Sequence, residues 1–151
     1  MRFDRFWEFR LLLLSHLAMI LTIISVGSKT SPEFQGYAKR ITRWKCKLLT
    51  YSKPPIYTSL VNPQKEAIFI LDEKGQHFTS AEFAHFMNKQ EQNTVFLVGG
   101  AEGFPKNTYQ LPHTKIALSY MTLPHEWARI LLIEQIYRAQ QIIMGHPYHK
   151  A

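Results

Sequence analysis

The chain has 151 residues, 46% of them hydrophobic and 19% charged, with 7 Gly, 8 Pro and a single cysteine, Cys46. This is one domain's length and an ordinary globular composition, so collagen-like, low-complexity and wholly disordered chains are excluded, as are a disulfide framework and a cysteine-based zinc site. Eighteen Lys and Arg against eleven Asp and Glu give a net charge of +7, which argues for a polyanionic partner, nucleic acid or an anionic membrane, and is silent about fold.

Met1 to Arg10 carries three Arg and two acids, followed by Leu11–Leu14, Ser15–His16 and the apolar stretch Leu17–Val26. A basic start before an apolar run is the pattern of a signal peptide or anchor. Here Ser15 and His16 interrupt the run, and it falls short of the ~20 residues a spanning helix needs. Residues 19–27 read instead as an opening β-strand, β-branched and closed by glycine. That leaves 1–18 as an extension or a start codon set too early, and 19–151 as one domain.

Ser31-Pro32-Glu33 predicts a helix start, with Phe34, Tyr37, Ala38 and Ile41 at helical spacing. Cys46–Tyr51 is a second strand, broken by Lys53-Pro54-Pro55, and residues 54–66 read as a loop. Ala67–Leu71 is a buried type of strand ending in a turn at Asp72-Glu73-Lys74-Gly75. Thr79-Ser80-Ala81-Glu82 is a capping box opening a helix with Phe83, Phe86 and Met87 on one face. Thr94–Val98 is another strand, and Lys115–Leu118 a last short one. Pro124 opens a long helix to about Met144, stopped by Gly145 and Pro147. Continuous apolar strands separated by helices predict an α/β fold, a largely parallel sheet covered on both faces.

Gly99-Gly100-x-x-Gly103 follows a buried strand, where an α/β sheet presents its ligand crevice. It is either a tight turn or a ligand cradle, and its spacing is not that of a dinucleotide fingerprint. Lys39, Arg40, Arg43, Lys45, Lys47 and Lys53 lie within fifteen residues, interleaved with Tyr37, Trp44 and Tyr51. This is an RNA-facing patch or a solvated basic face over buried aromatics. Glu134 and Arg138 stand at i,i+4 and by default form a surface pair. Cys46 reads as a small buried hydrophobe. The seven histidines show no ligand spacing beyond His146-x-x-His149, so no metal is expected.

Four segments together carry a resemblance: Val98-Gly99-Gly100-Ala101-Glu102-Gly103, Leu118-Ser119-Tyr120-Met121-Thr122-Leu123-Pro124-His125, Glu134-Gln135-Ile136-Tyr137-Arg138-Ala139, and Pro147-Tyr148-His149-Lys150 at the chain end. In this order they resemble the ribosomal RNA large-subunit methyltransferase H family, small members of the SPOUT superfamily. Ile20 to Lys29, with Val26-Gly27-Ser28-Lys29, fits that family's first strand and turn. The resemblance covers residues 19–151. Residues 1–18 have no counterpart in most members, and the join over residues 51–66 is shorter than usual.

The resemblance implies a cytoplasmic S-adenosylmethionine-dependent enzyme that methylates N3 of a pseudouridine in 23S rRNA on the assembled ribosome. It also implies a homodimer, with each site completed by the neighbouring subunit, and a carboxyl-terminal trefoil knot, a rare exception to unknotted chains. Carried over by position, the methyl-donor site is Leu71, Gly99 and the stretch Leu118, Ser119, Tyr120, Met121, Thr122 and Leu123. Tyr148, His149 and Arg138 are the expected catalytic residues, with His149 or a water it holds taking the N3 proton. Arg129, Lys150, Lys39, Arg40 and Arg43 are the expected RNA contacts, and His125 caps or orients the helix start. The competing readings are a non-catalytic ribosome- or RNA-binding protein that keeps the fold, and a membrane-tethered protein anchored through residues 1–27.

Overall fold

Five parallel strands form one sheet in the order β2-β1-β4-β3-β5: β1 Ile20–Val26, β2 Lys45–Tyr51, β3 Glu66–His77, β4 Asn93–Val98 and β5 Thr114–Ala117. The computed structural model describes residues 19–27 and 31–150. The expected extension 1–18 and the turn at Ser28–Lys29 lie outside the described residues. The helices are α1 Pro32–Arg40, α2 Tyr57–Leu60, α3 Ser80–Asn88 and α4 His125–Ile143, with a 3-10 turn at Lys106–Gln110.

The two faces of the sheet are covered unequally, and the strand order explains why. The crossovers β1 to β2 and β3 to β4 run one way along the sheet, while β2 to β3 and β4 to β5 run the other. Right-handed connections then place the first pair on one face and the second pair on the opposite face. The first pair carries α1 and α3, and α4 returns to pack against both. Leu21, Ile23, Phe69 and Phe96 of the sheet meet Phe34, Phe83, Met87, Leu132 and Ile136 there. The second pair carries only α2 and the 3-10 turn, so Ile24, Ile68, Ile70, Val95 and Leu97 are closed over by Tyr57, Val61 and Leu111. Both expected covers exist, but one is a helix layer and the other a strap.

The helix starts follow their sequence signals. Ser31 Oγ accepts the Phe34 N–H with Pro32 at the first helical position, and Thr79 and Glu82 satisfy each other's backbone N–H groups in a complete capping box. Helix α4 ends in a Schellman turn: His146 N–H donates to Gln141 C=O and Gly145 N–H to Ile142 C=O, with Gly145 at φ +69°. Pro124 is the residue before α4 rather than its first, leaving the first turn with no side-chain cap.

Two expectations are corrected. Residues 54–66 are not all loop, because Tyr57–Leu60 makes one helical turn that buries Tyr57. Asp72–Gly75 does not end its strand. It is a bulge inside β3: Leu71 and Gln76 both pair with Ile116, and the strand resumes to His77. A Cβ on Gly75 would lie 2.6 Å from the backbone of Lys115 and Ile116, so the bulge needs glycine where it crosses β5.

Candidate functional site

The carboxyl ends of β3, β4 and β5 open into a cleft of about 920 Å³, within the range of small-molecule sites. One wall is the β3 bulge, one the turn after β4, and one the segment from β5 into α4. The turn after β4 is closed by Gly103 N–H donating to Gly100 C=O, with Gly103 at φ +76°. A Cβ on Gly99 would meet the Phe104 ring at 3.0 Å, and one on Gly100 would meet Val26 at 3.1 Å. The glycines therefore make a tight turn and also keep its backbone at the cleft wall; the two readings left open by the sequence are compatible.

The segment after β5 is tied to the bulge. Thr122 Oγ1 donates to Glu73 Oε2 at 2.6 Å, and Met121 N–H donates to Ser119 Oγ. Asp72 accepts the Lys74 N–H and pairs with Lys115 Nζ at 3.2 Å. The Lys74 N–H is the main reason the Asp72 carboxyl lies below its ordinary range; partial burial opposes it and Lys115 reinforces it. Leu71, Gly99, Leu118, Ser119, Met121, Thr122 and Leu123 all line this cleft. Tyr120 is the exception among the expected donor residues: its ring is 85% exposed and lies flat on His77 outside the lining.

At the mouth of α4, His125 lines the cleft and its Nε2 is 3.6 Å from Glu126. Glu126 holds Arg129, whose other amino group reaches Ser25 Oγ on β1. Arg129, expected from sequence to contact RNA, is 1% exposed and ties α4 to the sheet.

A second cluster sits at the other end of α4. Arg138 donates twice to Glu134 Oε1, which also accepts the Tyr148 hydroxyl, and Gln135 occupies the other carboxylate oxygen. The pair is half-buried rather than the surface pair first expected. Arg138 Nη1 is 3.2 Å from His149 Nδ1, and its guanidinium covers the Tyr148 ring. Tyr148 packs edge-on against Tyr137, which lies beside Tyr37. Burial first, then hydrogen bonds with Tyr37 and Glu134, push the Tyr148 hydroxyl far above its ordinary range, so it stays a donor. The Glu134 hydrogen bond likewise raises Arg138 and keeps it charged.

Thus the chain end folds back onto α4 and brings Arg138, Tyr148 and His149 together. It does not bring them to the cleft. Arg138 is thirteen residues along α4 from His125, about 20 Å of helix. The sequence pattern offered no sign of Tyr37 in this cluster, because it reads as a position at helical spacing within the basic segment, and Tyr137 stood out only as part of the 134–139 motif.

The basic segment resolves into two kinds of residue. Trp44 is buried, and Tyr37 and Tyr51 are half-buried, so the interleaved aromatics are packing groups. Lys39, Lys45, Lys47, Lys53 and Lys150 are exposed. Arg40 lies over Tyr37 and Tyr137, and Arg43 donates to Asn88 Oδ1. Cys46 is half-buried and burial raises its thiol to about 11, which suits a packing residue. Among the described residues no three His, Cys, Asp or Glu side chains gather as a metal site, and no helix is long and apolar enough to cross a membrane.

Residues 19–149 match the family described as "Predicted SPOUT methyltransferase". Three curated proteins named ribosomal RNA large subunit methyltransferase H are similar. That of Campylobacter lari is 50% identical over 62% of each chain. That of Nitrosomonas eutropha is 45% identical over 56% of each. That of Prochlorococcus marinus strain NATL1A is 46% identical over 58% of this chain and 61% of its own. The chain thus matches about three-fifths of the length of these relatives. The SpoU methyltransferase AviRb of Streptomyces viridochromogenes, solved with the cofactor AdoMet, is a distant likeness at 14% identity and TM-score 0.46, covering 85% of this chain and 59% of that one.

Proposed function

The chain belongs to the SPOUT methyltransferase family, and from that premise we propose that it methylates N3 of a pseudouridine in 23S rRNA on the assembled ribosome, as a cytoplasmic homodimer with the family's knotted carboxyl-terminal half. The family's methyl donor is S-adenosylmethionine. The observation that carries the reading is the cleft at the ends of β3, β4 and β5, lined by Leu71, Gly99, Leu118, Ser119 and residues 121–123. Its donor set suits that cofactor: apolar walls from Leu71, Val98, Leu118, Leu123 and Ala128 for an adenosyl group, and Asp72 and Glu73 for its cationic part.

S-adenosylmethionine, when bound, supplies an electrophilic sulfonium methyl group. The nucleophile is the harder half. N3 of a uracil ring ionises two to three pKa units above neutrality, which costs roughly 3–4 kcal/mol. The protein's residues must align N3 with the methyl carbon and stabilise the forming anion. Arg138 is always a donor, so its contact makes His149 Nδ1 the acceptor, and a neutral imidazole then carries its proton on Nε2. His149 so arranged offers an N–H to a base carbonyl oxygen, where charge gathers as N3 loses its proton. The N3–H proton would pass to water, and the bound cofactor would supply the methyl group that takes its place on N3. Of the two proton acceptors expected from sequence, His149 or a water it holds, this reading takes the water and leaves His149 as a donor.

Tyr148 and His149 are not among the residues that line the cleft of their own chain, which supports the dimer: a second copy can bring its own tail to the cleft that the first copy's tail does not line. Lys39, Lys45, Lys47 and Lys53 supply phosphate contacts, so ribosome binding should weaken steeply with salt. The test is methyl transfer from labelled S-adenosylmethionine by the full chain to ribosomes lacking this modification, with naked rRNA and separated subunits beside them. Label at a pseudouridine of assembled ribosomes alone is the expected result. Cofactor binding without label on any of the three would overturn the substrate assignment, and absence of cofactor binding would overturn the enzyme.

A further inference from the structure

Tyr120 is the most exposed large apolar side chain among the described residues, at 85%, and its ring is stacked on the imidazole of His77 with centroids 3.6 Å apart and planes 12° from parallel. Both residues are held by their backbones rather than by the core. His77 is the last residue of β3 and pairs with Ala117. On either side of Tyr120, Ser119 and Met121 line the cleft, and the Ser119–Met121 and Glu73–Thr122 hydrogen bonds fix the segment in that shape. The ring is therefore presented on the outer lip of the cleft, one face on His77 and the other open.

A rigid aromatic pair with a bare face costs solvent exposure of apolar area and does nothing for the core. Such a surface is suited to a planar, unpaired base: stacking accepts any base through its π-face, and neighbouring cations take the backbone. Lys74 on the bulge and Lys115 on β5 both line the cleft, Lys74 exposed and Lys115 half-buried and paired with Asp72. The interleaved aromatics of the 37–53 segment cannot serve this purpose, since they are packed.

We propose that His77 and Tyr120 form a stacking platform that holds one unpaired nucleobase of the RNA substrate at the mouth of the methyl-donor cleft. The proposal rests on the methyltransferase reading and names a specificity-determining pair for it. It assigns to the Tyr120 side chain a contact with RNA in place of the cofactor contact expected from its position in the 118–123 stretch.

The experiment uses the full chain and four variants, Tyr120→Ala, Tyr120→Phe, Tyr120→Trp and His77→Ala. Three quantities are measured: KM for ribosomes, cofactor affinity by calorimetry, and affinity for a short fluorescent single-stranded oligoribonucleotide. Tyr120→Ala should raise the ribosome KM and weaken the oligoribonucleotide by about five- to a hundredfold, with cofactor affinity and circular dichroism as in wild type. Phe and Trp should restore binding, since the ring face is used and not the hydroxyl. His77→Ala should fall between. An unchanged KM and oligoribonucleotide affinity in Tyr120→Ala would overturn the platform. So would a fall in cofactor affinity, which would make the stack a brace for the donor loop, or a change in sedimentation, which would make it a contact between copies. If the wild-type chain methylates nothing, the methyltransferase reading fails, and the oligoribonucleotide measurement still decides the platform.

Discussion

At its amino end α4 closes a cleft whose walls are turns of backbone, and from Glu134 onward, about 14 Å of helix past His125, it carries a cluster built almost wholly from side chains. The cleft end depends on close approach: Gly75 over β5, Gly99 against Phe104, and the Gly100–Gly103 turn. The tail end depends on charge and hydrogen bonds converging on one carboxylate, Glu134. The first is rigid because there is no room to move; the second is held by bonds that substitution, salt or acid can loosen. Under the proposed function that division places a small donor at the rigid end and a very large substrate at the adjustable one.

The sharpest way to break the comparison is at Gly75. Gly75→Ala places a methyl group 2.6 Å from the backbone of β5, with no flexible side chain to yield. It should cost about 3 kcal/mol or more, read as a lower urea midpoint, and should abolish cofactor binding. Gly36→Ala is the matched control, since nothing lies within 4 Å of its Cβ, and in mid-helix it should gain about 0.5–1 kcal/mol. Equal midpoints for the two variants would mean that the bulge gives way easily and that the cleft is no more rigid than the tail.

Glu134→Gln probes the other end. Removing the charge from a half-buried group that accepts two bonds from Arg138 and one from Tyr148 should cost about 2 kcal/mol. It should free the chain end to proteolysis and leave cofactor affinity unchanged. A loss of cofactor affinity would show that the two ends are coupled through α4. His149→Ala, at the tip of the same cluster, should lower turnover about tenfold or more, roughly 1.4 kcal/mol in the barrier, with the cofactor still bound. Unchanged turnover would remove His149 from the mechanism.

What was legible in the sequence divides along the same line. The strands, both capped helix starts and the Gly145 stop were readable because each rests on local chemistry: apolar runs, Ser31 and Thr79 as caps, and a left-handed glycine. The position of the cleft was readable too, since parallel strands present their carboxyl ends to ligands. The β3 bulge was not. Asp72-Glu73-Lys74-Gly75 has the composition of a turn, and only its pairing with β5 shows that the strand continues. The burial of Arg129 was not legible because a charged residue on a helix defaults to the surface, and only the facing Glu126 and Ser25 reveal the tie. The tail cluster was half legible: Tyr148, His149 and Arg138 stood out, but the distance from the cleft follows from the length of α4 in three dimensions and from nothing in the motif.

The smallest expected effect lies on the cleft side and tests whether any of its stability is ionic. Asp72 accepts the Lys74 N–H and pairs with Lys115 across the base of the bulge, and its carboxyl titrates below the ordinary range in the folded chain. A carboxyl depressed on folding stabilises the protein above its unfolded pKa, near 3.9, and that contribution disappears as pH falls through the folded value. Asp72→Asn should therefore cost about 0.5 kcal/mol at pH 7, the scale of a partly exposed pair. The difference from wild type should be full above the unfolded pKa near 3.9 and should shrink as pH falls below it through the folded value. Urea melts of both proteins across that range measure it. A difference that stayed constant into acid would trace the cost to the Asp72 side chain's shape and its bond to Lys74 rather than to its charge, and would leave the cleft end held by packing alone.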